Sequence, residues 1–318
     1  MADHSRIAWC DATWNPVSGC SKVSPGCEHC YAEVISHRFG WTSKTWTAPH
    51  AAENVRCHPE RLKQPLHWRR PRRIFVNSMS DLFHDQVPDS FLDQVFASIA
   101  PLSRHTYQIL TKRPQRMYAY LTDPATPDRI AAQAWAYAYG SFQNQSTTEI
   151  FRNLAVTWPF RHVWLGVSVE DQRRAEERIP LLLQTPAALR FVSCEPLLGT
   201  LDLTEINGKS ALDPICWGDC ACDSVYGYDP GCVRHGGDGH LTRKIDWVIV
   251  GAESGPQARP MEEDWVRSLR DQCIAAAVPF FFKQRVDTAG HKDQQPVLDG
   301  HIWQDYPAAK LNPLRRER

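Results

Sequence analysis

Six short apolar runs, each ending in polar residues, set the tightest limit on what this chain can fold into. They occupy residues 73–78, 107–112, 163–168, 189–194, 247–251 and 279–283. Continuous apolar runs of this length suit strands buried on both faces, as in a parallel sheet. The stretches between several of them have helical periodicity. Phe91, Leu92, Val95, Phe96 and Ile99 share one face behind a start signal at Asp89-Ser90. Trp265, Val266, Leu269 and Cys273 do the same behind Glu262-Glu263-Asp264, where acids suit a helix N-terminus. Residues 171–184 run from charged to apolar, as does a helix crossing the outside of a sheet. Strands alternating with helices predict an α/β protein, either a βα barrel or a doubly wound sheet.

Two stretches interrupt the rhythm. Residues 121–160 form an excursion, helical over about 129–139. Residues 205–243 are rich in Gly, Asp and Cys and read as an inserted loop. Neither marks a domain boundary, so residues 1–318 are expected to form one domain. Hydrophobic residues make up 42% of the chain, enough for a large core, which excludes wholesale disorder. Lys plus Arg and Asp plus Glu are both 36, so a globally basic nucleic-acid binder is not expected. No apolar run reaches membrane-spanning length. The N-terminal residues show no apolar leader, and eleven cysteines without one point to the cytoplasm, where clustered thiols serve metals or redox chemistry.

In βα folds, ligands bind at the carboxyl ends of the strands. Those ends carry Asn77-Ser78-Met79-Ser80-Asp81, Thr111-Lys112-Arg113, Ser168-Val169-Glu170, Ser193-Cys194-Glu195, Gly251-Ala252-Glu253-Ser254 and Lys283-Gln284-Arg285. If the strands are parallel, one rim collects these carboxylates, hydroxyls and cations. Near the N-terminus stand Cys20, Cys27 and Cys30, in the spacing C-x6-C-x2-C within a loop containing Pro25 and Gly26. Three thiolates on such a loop can ligate three irons of a 4Fe–4S cluster and leave the fourth open. Zinc is the competing reading, with His29, Cys10 or Cys57 as fourth ligand.

A three-cysteine loop followed by βα units resembles the radical S-adenosylmethionine (SAM) superfamily. More closely, the chain is similar to the phage-associated three-Cys-motif radical-SAM-like family, whose function is uncharacterised. The resemblance runs through Thr13-Trp14-Asn15-Pro16, Gly19-Cys20, Cys27-Glu28-His29-Cys30-Tyr31-Ala32, residues 75–83, 110–114, 164–170, 191–197 and 250–255, and Phe281-Phe282-Lys283-Gln284. It implies a partial or modified (β/α) barrel whose cluster, held by Cys20, Cys27 and Cys30, binds SAM at its open iron. One-electron cleavage of SAM then releases a 5′-deoxyadenosyl radical that abstracts hydrogen from a substrate. Two departures stand out: the superfamily's usual first gap is three residues rather than six, and its aromatic residue before the last cysteine is His29 here.

The resemblance also implies roles on the rim. Ser78, Ser80 and Asp81 fall where superfamily members grip the SAM ammonium, with Asp81 the first choice. Gly251, Glu253 and Ser254 would lie along the methionine or adenine, and His29 would stack on adenine. Glu170 and Glu195 would hold ribose or substrate, and Lys283 an anionic substrate group. An electron donor such as flavodoxin or ferredoxin is implied, as is a methyltransferase-like partner.

A second cluster, Cys216, Cys220, Cys222 and Cys232 with His235, lies in the insertion. A Gly/Asp-rich loop with few apolar residues gains its fold from a metal, and zinc fits these donors best, with an auxiliary Fe–S cluster as the alternative. The basic runs at residues 67–73, 112–116 and 314–318, the first containing Trp68, suit a nucleic-acid or nucleotide substrate, with Trp68 stacking on bases. Two rivals to a radical enzyme are carried forward. One is a zinc-stapled nucleic-acid-binding protein. The other is a degenerate barrel that binds SAM or a cluster without radical chemistry.

Overall fold

A computed structural model of the chain describes residues 5, 7–141, 158–215, 217, 243–255, 257–287 and 291–308, without the side chains of 135–141. Its centre is an eight-stranded sheet. The strands are β1 (Ala12–Trp14), β4 (Arg73–Val76), β5 (Thr106–Thr111), β6 (Val163–Ser168), β7 (Leu189–Cys194), β8 (Trp247–Gly251), β9 (Phe280–Val286) and β10 (Lys292–Asp293), in that spatial order. The first seven are parallel and β10 is antiparallel. Two short strands, β2 (Val17–Ser18) and β3 (Arg56–Cys57), pair antiparallel beside the sheet, and β11 (Val297–Leu298) pairs with β12 (His301–Ile302). All six apolar runs are thus strands of one parallel sheet. β7 is buried at every position, the condition under which a strand needs no polar alternation. Strand order follows chain order with no reversal, which rules out the doubly wound arrangement.

The helices pack on one face. Asp89–Ile99 joins β4 to β5, Gln172–Gln184 joins β6 to β7, and Glu263–Ala275 joins β8 to β9. Pro114–Thr122 and Thr126–Ser141 follow β5, the latter where the excursion was expected to be helical. Gln172–Gln184 starts with an N-cap, Asp171 accepting from the Arg174 N–H at 2.8 Å. Pro180 inside that helix cannot bond the Glu176 carbonyl, and Asn207 Nδ2 donates to it instead at 3.1 Å.

The other face encloses a second, aromatic core. Along β4, Ile74 and Val76 face the helices while Phe75 faces inward; along β8, Val248 and Val250 face out while Trp247 and Ile249 face in. Trp9 joins both sides of this inner face. Its ring lies 4.6 Å from Phe75 on β4 and 6.3 Å from both Phe191 on β7 and Trp247 on β8. In a flat sheet β4 and β7 would stand about 14 Å apart. One indole reaching both means that the sheet curls around it. Among the described residues, no backbone pairing joins β1 to β9 or β10, so the architecture shown is a curved, mostly parallel α/β sheet.

Two expectations about the basic runs change, and a third falls outside the described residues. Trp68 is only 8% exposed and packs edge-on against His105, so it is core and offers no face for a base. Its run precedes β4, at the edge opposite the rim. In the second run, Arg113 is buried and Arg116 is paired with Asp89. The third run, residues 314–318, lies outside the described residues. No described helix is long and apolar enough to cross a membrane.

Candidate functional site

Parallel strands put all six polar strand ends on one edge. The cysteine loop lies against that edge. After β2, Gly19 pairs with Ser80, and the chain then makes a short 3₁₀ turn over Pro25–Cys27 before the helix Tyr31–Arg38. Long-range polar contacts hold the loop down. The Gly26 N–H donates to Glu170 Oε1 at 3.3 Å. His29 Nδ1 stands 3.1 Å from Glu253 Oε2. Arg259 donates to the Pro25 carbonyl, to Glu28 and to both oxygens of Glu253. Tyr31 donates to the Ser78 carbonyl at 2.6 Å, and the Ser78 and Ser80 hydroxyls donate to Asn15 and to the Val17 carbonyl.

The three cysteines are free, half-buried thiols. Burial pushes the Cys20 thiol up to about 12, against the pull of the Arg113 guanidinium, whose Nη1 lies 3.5 Å from Cys20 Sγ. Cys30 sits at the N-cap of Tyr31–Arg38. Burial raises its thiol too, opposed by the Glu33 and Ala32 N–H groups and by Lys112. Cys27 is electrostatic neighbour to both.

Beneath Cys20 lies a buried polar network. Asp81 accepts from Thr111 Oγ1, the Lys112 and Phe83 N–H groups and Arg113 Nη1, at 2.7 to 3.1 Å. Arg113 Nη2 donates to both oxygens of Ser21. His84 completes the cluster. Its Nδ1 accepts from the Gln86 N–H, which leaves Nε2 as donor to Ser21 Oγ at 2.9 Å. Burial first, and then Arg113, lowers this imidazole to about 4, so it is neutral at pH 7. A carboxylate has about four lone-pair sites. Four donors from the chain itself occupy Asp81, so an incoming ammonium would have to displace one of them.

The remaining rim residues fall into two groups. Glu170 is fully buried; against the cost of that burial, Arg178 and then Lys112 hold its carboxyl below the usual range. Glu253 is held low in the same way by Arg259 and His29. On the other side, Lys283 Nζ pairs with Glu195 Oε1 at 2.9 Å, and Ser193 donates to Glu195 Oε2. Gly251 makes this fit possible: a Cβ there would stand 2.6 Å from Glu195 Oε1. Ser254 accepts from Gln284 at 2.8 Å. Glu170 and Glu253 therefore brace the cysteine loop, while Glu195 and Lys283 form a separate pair at the rim.

The sequence places Lys112 and Arg113 at a strand end and in a basic run, and Gly26 in the cysteine loop, but assigns none of them, nor Arg259, a part in holding that loop. Arg259 meets the Pro25 carbonyl across 234 positions, and no local pattern announces such a partnership. Of the alternative fourth zinc ligands, Cys10 is buried in the inner aromatic core beside Ser5, Cys57 is on β3, and His29 stays in the cysteine loop with its Nδ1 on Glu253. Among the described residues no three His, Cys, Asp or Glu side chains meet at the spacing of a single bound ion. A cuboidal cluster spreads its thiolates over separate irons. Cys20, Cys27 and Cys30 are three free thiols on the braced loop, with Arg113 beside Cys20 and the Lys112 charge acting on Cys30. Cys216, Cys220, Cys222, Cys232 and His235 lie outside the described residues.

Fold and site define a curved parallel α/β protein with three free thiols on a loop fastened across the carboxyl-end rim of its sheet. The chain belongs to the family described as "Protein of unknown function (DUF5131)", whose model matches residues 4–307. No curated protein and no solved structure matches it.

Proposed function

We propose that this chain is a radical-SAM-type iron–sulfur enzyme built on a partial (β/α) barrel, with Cys20, Cys27 and Cys30 as cluster ligands. The observation that carries this reading is the placement of three free thiols together on one loop at the carboxyl-end rim, with Arg113 beside Cys20 and backbone N–H groups and Lys112 acting on Cys30. A reduced 4Fe–4S cluster there would supply the electron that cleaves SAM to a 5′-deoxyadenosyl radical.

The chain's own residues prepare the site. Arg113 offsets negative charge at Cys20, and the helix N-terminus does so at Cys30. Glu170, Glu253 and Arg259 fix the loop before any ligand arrives, so little reorganisation is left for binding. The Glu195–Lys283 pair presents one anionic and one cationic group to a substrate on the far side of the rim. His29, held by Glu253, keeps its ring in one orientation beside the loop. The substrate class within this reading is a nucleic-acid base or nucleotide, with an external one-electron donor protein.

Anaerobic purification and reconstitution, followed by metal analysis and an absorption spectrum, tests the assignment. About four irons per chain, lost in Cys27→Ala, and 5′-deoxyadenosine released on adding dithionite and SAM are the results expected. Zinc alone, with a colourless protein after reconstitution, would overturn it.

A further inference from the structure

The exposed large apolar side chains are not spread evenly. Val23, Tyr31, Val34, Phe39 and Trp41, all 43–62% exposed, fall in or just after the cysteine loop. Phe39 and Trp41 stack on each other at 5.4 Å and 23°, and the Arg38 guanidinium lies 6.0 Å from the Phe39 ring centre. Two aromatic rings held in water at more than half their surface are costly to keep and mark a contact surface.

Beside them is a cleft of about 370 Å³, walled by Trp41, Thr42, Ser43, Glu53, Asn54 and Arg56. It adjoins the candidate site directly. Gly19, the neighbour of Cys20, packs so closely on the Asn54 carbonyl that a Cβ would lie 1.9 Å from that oxygen. Arg56 is in register with Ser18 across the β2–β3 pair. Exposed Arg56 and Glu53 line the cleft, exposed Lys44 follows its Ser43 wall in sequence, and exposed Arg38 lies at the Phe39 ring. Among the described residues none of these three cations has an ion-pair partner.

We infer that this surface binds single-stranded nucleic acid, with bases against Trp41 and Phe39 and phosphates against Arg38, Lys44 and Arg56. Aromatic planes interleaved with cations are what a single strand recognises without sequence preference. The excess of unpaired cations over carboxylate here favours a polyanion over a protein partner. This cleft is walled by hydroxyls, an amide and charge. The inference names the substrate class for the reading above and rests on that reading only for the idea that the bound strand is then modified.

The test is fluorescence anisotropy of the full chain with a fluorescein-labelled oligonucleotide of about twelve nucleotides, as DNA and as RNA, single-stranded and duplex. Single strands should bind better than duplex, and binding should weaken with salt. Trp41→Ala and Phe39→Ala should each weaken it about tenfold, and Arg56→Gln should lower the salt dependence. Both aromatic positions are exposed, so unchanged thermal melting serves as the folding control. Equal binding to duplex, no binding to either oligonucleotide, or binding unaffected by Trp41→Ala would overturn the inference. Capture of an acidic protein, lost in Trp41→Ala, from a chain that ignores both oligonucleotides would make this a protein-docking face and would also overturn it. Iron content measured on the same samples separates the two claims. Iron-free protein that binds the strand keeps the surface and loses the radical enzyme, and iron-loaded protein that ignores the strand does the reverse.

Discussion

Arg113 holds its Nη1 3.5 Å from Cys20 Sγ and 3.1 Å from Asp81 Oδ2, so one guanidinium ties a loop thiol to a carboxylate just beyond β4. Hydrogen bonds and charge at a ligating sulfur set a cluster's reduction potential. Replacing Arg113 with Gln removes a cation that favours the more negative, reduced state. On the proposed reading, the reconstituted variant should have a midpoint potential several tens of millivolts lower by EPR-monitored redox titration. An unchanged potential at unchanged iron content would leave Arg113 with a purely architectural role.

Asp81→Ala leaves Arg113 buried without its carboxylate. Breaking one side of a buried pair costs about 3–5 kcal/mol. Urea unfolding of the metal-free chain should show a loss of that order. A loss below about 1 kcal/mol, the level of an exposed pair, would mean that water reaches the guanidinium and that Asp81 is available to a ligand after all.

Gly251→Ala drives a methyl group into Glu195 and disturbs its pairing with Lys283. Overpacking of this kind costs about 1–3 kcal/mol. The double variant Gly251→Ala/Glu195→Ala should recover part of the loss, because the two positions share one space. Strict additivity in thermal melting would contradict the close approach.

His105 supplies a pH test away from the cysteines. It is almost wholly buried between Trp68 and Tyr107, and burial, helped by Arg104, lowers its imidazole from 6.5 to about 4. The unfolded chain takes up this proton near pH 6.5, and the folded chain only near 4. The stabilisation is therefore complete above about pH 6.5 and falls away as pH drops to 4, by roughly 3 kcal/mol. His105→Gln should flatten this part of the stability profile. A slope as steep as that of the parent chain would assign the effect elsewhere, with His84 the next residue to examine.

How much of this could be read in advance depended on how local the cause was. Strands β6, β7 and β8 match their apolar runs residue for residue, because burial on both faces writes itself into consecutive positions. The cysteine loop was legible for the same reason: its spacing is local. The bracing was not. Glu170 reaches Gly26 across 144 positions and Glu253 reaches His29 across 224, so each carboxylate read as an available ligand until its partner came into view. Trp68 failed in the opposite way. Basic neighbours made it look like a surface ring, but the fold places it in the core at 8% exposure. The inner role of Trp9 was equally hidden, since its partners Phe75, Phe191 and Trp247 come together only when the sheet curls.

The bridge between Ile215 and Arg243 sets two distant points of the chain side by side, and Arg243 anchors its end on the carbonyls of Leu183 and Gln184. The doorway to residues 216–242 is therefore already closed by the fold on its near side. Just past the bridge, Trp217 is buried in the main core at 8% exposure, so the chain is tied into the fold there as well. A deletion beyond this point that spares Trp217 should therefore keep the sheet and its rim, whereas one that takes Trp217 with it leaves a hole in the core.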